Sequence, residues 1–286
     1  MSSASVEKGI ESSLSAKYQL DVDILDWILR MYEWNQCFPQ PPDVDIKVWR
    51  YMDFSELASL LHTGKLFFSR LDKFDDPFEG SSPQSLIDTR ERILSEITAD
   101  PLHQADPKKL ENIIQSYGSA PQALAAFSKF TAVNCWHMNQ VESMAMWKLY
   151  LSSKEGIAIQ STYRRLQQCF QNVNETINIG LITYINYDTD DINTQSIDYL
   201  FMHKRKIFEY ENEIRCLVHR FPENWRDIPL IEEGVSIPID LDALIENVYV
   251  APTSPEWFLE AVNAMITKFG RNQTAIKSSI ARKPKY

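Results

Sequence analysis

The sequence predicts an α+β fold built on a central, mostly antiparallel β-sheet, with a helical N-terminal arm and a helical insert. Three observations carry this. Short runs rich in β-branched and aromatic residues recur from Ile46 to Ile280. The connections between them are very unequal, without the regular β–α alternation of a doubly wound sheet. One long stretch, residues 84–130, has helical rather than strand spacing and falls between sheet elements.

Residues 1–20 read as a loose polar arm. Val22, Ile24, Leu25, Ile28, Leu29 and Trp34 then recur at helical spacing over Asp21–Asn35. Phe38-Pro-Gln-Pro-Pro42 is a stiff break, so the main domain is expected to run over 44–286, with the arm and its helix at 1–43. Ile46–Met52 reads as a strand. Ser55 is placed to cap a helix striped by Leu57, Leu60 and Leu61, and Gly64 to end it. Leu66–Ser69 is a second strand, followed by dense turn chemistry at Phe74-Asp-Asp-Pro-Phe-Glu-Gly80. Pro101, Pro107 and Pro121 divide the helical insert. Further strands are expected at Thr131–Trp136, Ile157–Thr162, Ile177–Tyr187 (a pair), Glu211–Val218, Val235–Ile239, Val248–Ala251 and Ile276–Ile280. Helices are expected at Glu142–Leu151, Tyr163–Phe170, Ile197–Phe208 and from Ser254-Pro255 to Gly270.

The chain has 286 residues, 44% hydrophobic and 24% charged, with a formal net charge of −10. That is a globular composition, and its acidity argues against general nucleic-acid binding. Its eight glycines are scattered. Neither a G-x-G-x-x-G turn nor a Walker loop can be drawn, so any nucleotide must be held by side chains on strands. Cys37, Cys135, Cys169 and Cys216 form no C-x-x-C pair, and no Cys/His group has zinc spacing. They read as reduced, buried thiols. Met1–Lys17 carries no apolar signal-like run, and no stretch approaches the roughly 20 apolar residues of a membrane span. The expectation is a soluble cytoplasmic protein without membrane partners.

Several features can carry chemistry. On a strand, Glu211, Glu213 and Arg215 share one face and Ile214, Cys216 and Val218 the other. Lys204-Arg205-Lys206, upstream on a helical segment, can fold back over the polar face. The bland reading is a charge ladder. Arg50, mid-strand between Trp49 and Tyr51, suits bidentate phosphate or carboxylate recognition, or an internal salt bridge to Glu211 or Glu213. Gln160-Ser161-Thr162 closes a strand, where short hydroxyls line a cleft or start a turn. Asp75, Asp76 and Glu79 offer oxygen ligands for a hard cation, but such residues more commonly cap backbone N–H groups, and no metal is expected. On the helix after residue 142, Trp147 reads as core, while the Tyr150 hydroxyl can reach a cleft. His137, beside Trp136, reads as a hydrogen-bonded structural residue.

The order of a strand Arg50, then Ser161-Thr162, then Glu211-x-Glu213 resembles the Arg–Ser–Glu group of ADP-ribosyltransferases. That group usually carries Ser-Thr-Ser where this chain has Gln160-Ser161-Thr162 followed by Tyr163. The resemblance implies a split sheet and a cleft that takes NAD as substrate, cleaved at its nicotinamide–ribose bond. It implies Arg50 on the NAD phosphates or ribose, Ser161 and Thr162 shaping the nicotinamide pocket, Glu213 as catalytic glutamate and Glu211 orienting an acceptor: protein, nucleic acid or water. A toxin or defence role would follow from it. A second set of segments resembles a bacterial family, domain of unknown function 2971: Trp49-Arg-Tyr51, Gly64–Ser69, Phe74–Glu79, Met146–Tyr150 with Gly156–Ile159, and Lys204 with Glu211–Arg215. That family implies no established activity. Two other readings remain open: a non-catalytic binding or regulatory module, in which Arg50, Glu211, Glu213 and Arg215 form a buried charge network, and a metal-dependent nuclease using Asp75, Asp76, Glu211 and Glu213.

Overall fold

A computed structural model describes residues 37–150, 155–192, 198–220, 231–282 and 284. The expected N-terminal arm and the helix at 21–35 lie outside the described residues.

In chain order the elements are β1 (Lys47–Asp53), α1 (Phe54–Thr63), β2 (Lys65–Arg70), α2 (Gln84–Ala99), α3 (Pro101–Gln104), α4 (Pro107–Ser128), β3 (Thr131–Met138), α5 (Met144–Leu149), β4 (Gly156–Thr162), α6 (Tyr163–Gln168), β5 (Asn178–Leu181), β6 (Thr183–Ile185), α7 (Asp198–Phe201), β7 (His203–Arg205), β8 (Glu213–His219), β9 (Gly234–Pro238), α8 (Leu241–Leu244), β10 (Asn247–Val250), α9 (Glu256–Lys268) and β11 (Ile276–Lys277). Nine strands form one sheet. Its path is β11-β10-β4-β1-β3-β2-β9, with β8 paired to β3 and β5 to β8, while β6 and β7 pair separately. Every pairing in the large sheet is antiparallel except β10–β11. The α+β expectation holds.

Strand alternation sorts the core. Val48 and Met52 of β1, Ile157 and Ile159 of β4, and Ile214, Cys216 and Val218 of β8 face one large apolar cluster. Helix α1 covers it with Leu57, Leu60 and Leu61, and α9 with Phe258, Val262 and Ile266. Each such side chain contributes about 1.5–3 kcal/mol by leaving water. On the opposite face Trp49, Tyr51 and Ala158 pack under Met146 and Trp147 of α5. A third cluster joins Leu71, Phe201 and Leu217 to Leu124 and Phe127 of α4, which ties the helical insert to the sheet.

Several local expectations are corrected. Asp53, not Ser55, caps α1: its carboxylate accepts from the Glu56 N–H at 2.8 Å and Glu56 reaches back to the Asp53 N–H at 2.9 Å. Reciprocal satisfaction of two helix-end donors outcompetes a lone hydroxyl. Pro101 and Pro107 open helices, but α4 runs through Pro121. Pro255 rather than Ser254 precedes α9, without a side-chain cap. The helix expected over 197–208 is, from residue 198, the single turn α7, the three-residue β7 and a 3-10 segment, Lys206–Glu211.

The capping geometry sets an expected outcome. Asp53→Ala removes the box and should cost about 1 kcal/mol of stability, read by denaturant unfolding, whereas Ser55→Ala should cost distinctly less.

Candidate functional site

The site follows from the way two strands share one edge of β3. Along its other edge β3 pairs with β8 over its whole useful length, from Thr131↔His219 to His137↔Glu213. The free edge is divided. β1 pairs only with the C-terminal end of β3, Val48↔Met138 and Trp49↔His137, and β2 only with its start, Ser69↔Val133 and Arg70↔Ala132. Between these contacts the sheet is split. The wedge opens a cavity of about 210 Å³, walled by Arg50 and Tyr51 of β1, Glu56 of α1, Cys135 and His137 of β3, Tyr150 after α5, and Glu211 and Glu213.

Arg50 fills part of the split. Its Nη1 donates at 2.9 Å to the carbonyl of Cys135, a β3 residue that pairs with neither β1 nor β2. The salt bridge from Arg50 to Glu211 or Glu213 is absent among the described residues, so the guanidinium keeps donors for a ligand. Tyr51 stands beside it with its hydroxyl accepting from the Ser143 N–H at 2.9 Å. Its ring is edge-on to Trp147 and near-parallel to Tyr150 at 6.5 Å. Tyr150 is half exposed and opens the cavity to solvent.

The acidic wall is part of a buried charge cluster. Arg215, fully buried, binds Glu213 at 2.6 Å and Glu79 at 3.0 Å. Lys204 binds Glu211 at 2.5 Å and both Glu79 and Glu213 at 3.3 Å. Burial raises the Glu213 carboxyl, but the Arg215 and Lys204 charges outweigh it and hold the group well below the ordinary carboxylate range, so it is ionised. Burial also works against the Lys204 charge, and Glu213 with Glu79 more than restores it. Glu211 differs: burial raises its carboxyl and the single Lys204 contact does not fully reverse this. Two neighbouring carboxylates are thus pushed in opposite directions.

The expected strand face is redrawn here. β8 begins at Glu213. Glu211 ends the 3-10 segment, and Asn212 between them is left-handed, with φ 41°. Asn tolerates that region, and its side-chain amide anchors the kink on the Met138 carbonyl. Both glutamates still reach Lys204 because the chain bends there. Lys204 does so from β7, not from a helix.

Of the residues singled out in the sequence, Arg50, Tyr150, Glu211 and Glu213 meet at one cavity. Ser161 and Thr162 do not join them. Ser161 pairs with Val48 on the large-cluster side, fully buried, and its hydroxyl donates to the Leu244 carbonyl at 2.5 Å. Thr162 caps α6 through the Arg165 N–H. Their short hydroxyls serve a turn and a cap, not the cleft. Asp76 and Glu79 are also committed: Asp76 holds Arg205 at 2.7 Å and accepts from the Phe78 N–H, and Glu79 holds Arg215. His137, read from the sequence as structural, lines the cavity, and Lys204, read as a cation folding over the polar face, joins Glu79, weighed only as a cation ligand, in the charge cluster behind it. The usable signal was an acidic Asp76/Glu79 pair matched by the Lys204-Arg205 pair. No spacing rule connects residues that far apart.

No family model matches the chain, so the resemblance to domain of unknown function 2971 stands on its motifs alone. No curated protein matches either. Two solved structures are similar over 84% of this chain: DarT of Thermus sp. 2.9 with NAD+, at 9% identity, a TM-score of 0.37 and 97% of that chain covered, and the same protein with ADP-ribosylated single-stranded DNA, at 10%, 0.36 and 96%. A likeness this loose decides nothing about activity, which rests on the cleft. Among the described residues no helix is long and apolar enough to cross a membrane.

Two outcomes follow from the charge cluster. Glu79→Ala leaves Arg215 and Lys204 short of a counter-charge and should cost about 3–5 kcal/mol in denaturant unfolding, although Glu79 does not line the cavity. Because the Glu213 carboxyl is lowered on folding, from an ordinary 4.5 to about 2, its contribution is complete above that ordinary value and lost as pH falls toward the folded one. Acid unfolding of Glu213→Gln should lack this component between those two values.

Proposed function

We propose that the cleft takes the nicotinamide–ribose end of NAD and that the protein breaks the bond between them, passing ADP-ribose to an acceptor or to water. The single observation that carries this reading is the cavity in the split sheet that Arg50 shares with Glu211 and Glu213. A cavity of about 210 Å³ is below the roughly 300–1,000 Å³ that encloses a whole drug-sized ligand. It suits one ring and its sugar, with the diphosphate within reach of the guanidinium and the rest of the dinucleotide outside.

The chemistry follows from the charges. As the glycosidic bond breaks, its electron pair leaves with nicotinamide and positive charge develops on the ribose. Glu213, ionised at neutral pH and held by Arg215 and Lys204, stabilises that charge as a carboxylate does in glycoside hydrolysis. A lone pair of the acceptor then bonds to the ribose carbon and its proton goes to Glu211. The raised carboxyl of Glu211 suits a base better than Glu213 does. Tyr51 and Tyr150 supply flat apolar surface for the leaving ring.

A second reading has its own observation. Both Glu213 oxygens already accept from Arg215 and Lys204, as in a network that only holds the fold. In that case the protein is a binding module, and Glu213→Gln loses stability with no activity to lose.

Incubation with NAD and chromatography of free nicotinamide separates the two. Release is expected from wild type with water, a protein mixture or single-stranded DNA as acceptor. Glu213→Gln should lower kcat by at least about a hundredfold, measured below its own melting temperature, and Arg50→Gln should act mainly on KM. No release with any acceptor, or equal release from wild type and Glu213→Gln, overturns the proposal.

A further inference from the structure

His137 occupies the seam of the split. It is the last β3 residue paired with β1 before the split, through Trp49, while on its other side it stands opposite Glu213 of β8. It lines the cavity and is only 6% exposed. Its Nδ1 lies 2.5 Å from the Glu211 carbonyl oxygen. A carbonyl only accepts, so Nδ1 carries the proton. Burial outweighs that contact and lowers the ring's basicity, which leaves the ring neutral and Nε2 a pure acceptor. That atom is buried and has no hydrogen-bond partner among the described residues.

A buried, unpaired acceptor costs about 1–3 kcal/mol unless something satisfies it, and native interiors rarely leave one. Glu211 and Glu213 are acceptors, Arg50 Nη1 is turned to the Cys135 carbonyl, and neither the Tyr51 nor the Tyr150 hydroxyl, the other donors on this cavity, bonds Nε2. The atom faces the cavity, so its partner is a water or a donor group of the ligand that displaces it.

We propose that His137 Nε2 accepts a hydrogen bond from an N–H or O–H group on the bound ligand, making it a specificity-determining residue of the cleft. The inference rests on the NAD reading, which supplies two such donors: the carboxamide of nicotinamide and the hydroxyls of the adjoining ribose. It adds a selection that the charges cannot provide. Arg50 and the glutamates sort ligands by sign, whereas a neutral acceptor tells a carboxamide from a carboxylate, or a hydroxyl from a hydrogen, at constant shape.

The test is titration calorimetry of the full chain with NAD, with its deamidated analogue carrying a nicotinic acid carboxylate, and with an analogue lacking the 2′-hydroxyl of the nicotinamide ribose. Wild type is compared with His137→Phe, which keeps a flat ring without an acceptor, and His137→Gln, which can return an oxygen near Nε2; melting curves confirm that each is folded. His137→Phe should bind NAD about tenfold more weakly, with His137→Gln recovering part of the loss. The analogue whose disadvantage against NAD shrinks in His137→Phe identifies the donor: the deamidated one for the carboxamide, the deoxy one for the hydroxyl. Equal NAD affinity in wild type and a folded His137→Phe overturns the inference and leaves the NAD reading intact. Unchanged discrimination against both analogues does the same. Absence of NAD binding to wild type overturns both.

Discussion

The arrangement of the cleft depends on one guanidinium. Arg215 lies wholly inside the protein, where a lone charge is very costly to bury. It is tolerated because Glu213 from its own strand and Glu79 from a distant turn close on it, and its Nη1 also donates to the Phe201 carbonyl at 2.7 Å. These contacts join β8, the Asp75–Gly80 turn and the end of α7. Lys204 then binds all three glutamates. The acidic wall of the cavity is thus fixed from behind by groups that never face a ligand.

This explains which parts could be read from the sequence. Apolar alternation identified β1, β4 and β8, since a strand with one face on a core repeats every second residue. The leucines of α1 declared a helix for the same reason. The polar cluster has no period. Glu79 and Arg215 are 136 residues apart, and nothing local in either segment requires the other. The short β7 was read as helix because three residues carry too little pattern to outweigh helical flanks. The split was legible only through resemblance, because it arises where β1 and β2 compete for one edge of β3.

Ser161 and Thr162 illustrate the same limit. A hydroxyl at a strand end can serve a ligand, a backbone carbonyl or a helix cap, and the sequence does not distinguish these. Register does. Ser161 stands opposite Val48, so the strand that places Arg50 at the cleft also turns Ser161 toward the apolar cluster and Leu244. Arg50 escapes that side only because its long side chain reaches sideways into the gap, to the Cys135 carbonyl.

The two carboxylates next to Asn212 are not held alike: Glu213, with two cationic neighbours, is held ionised, and Glu211, with one, is pushed up. One left-handed residue produces this difference: it ends the 3-10 segment, starts the strand and sets Glu211 at the solvent side of the cluster while Glu213 goes beneath. A regular strand through 211–213 would have given both side chains the same face and the same cations. The kink therefore separates a carboxylate held low by two cations from one that burial pushes up, on one cavity that Arg50 also lines. Under the NAD reading proposed above, the first would face the developing positive charge and the second would take the acceptor's proton.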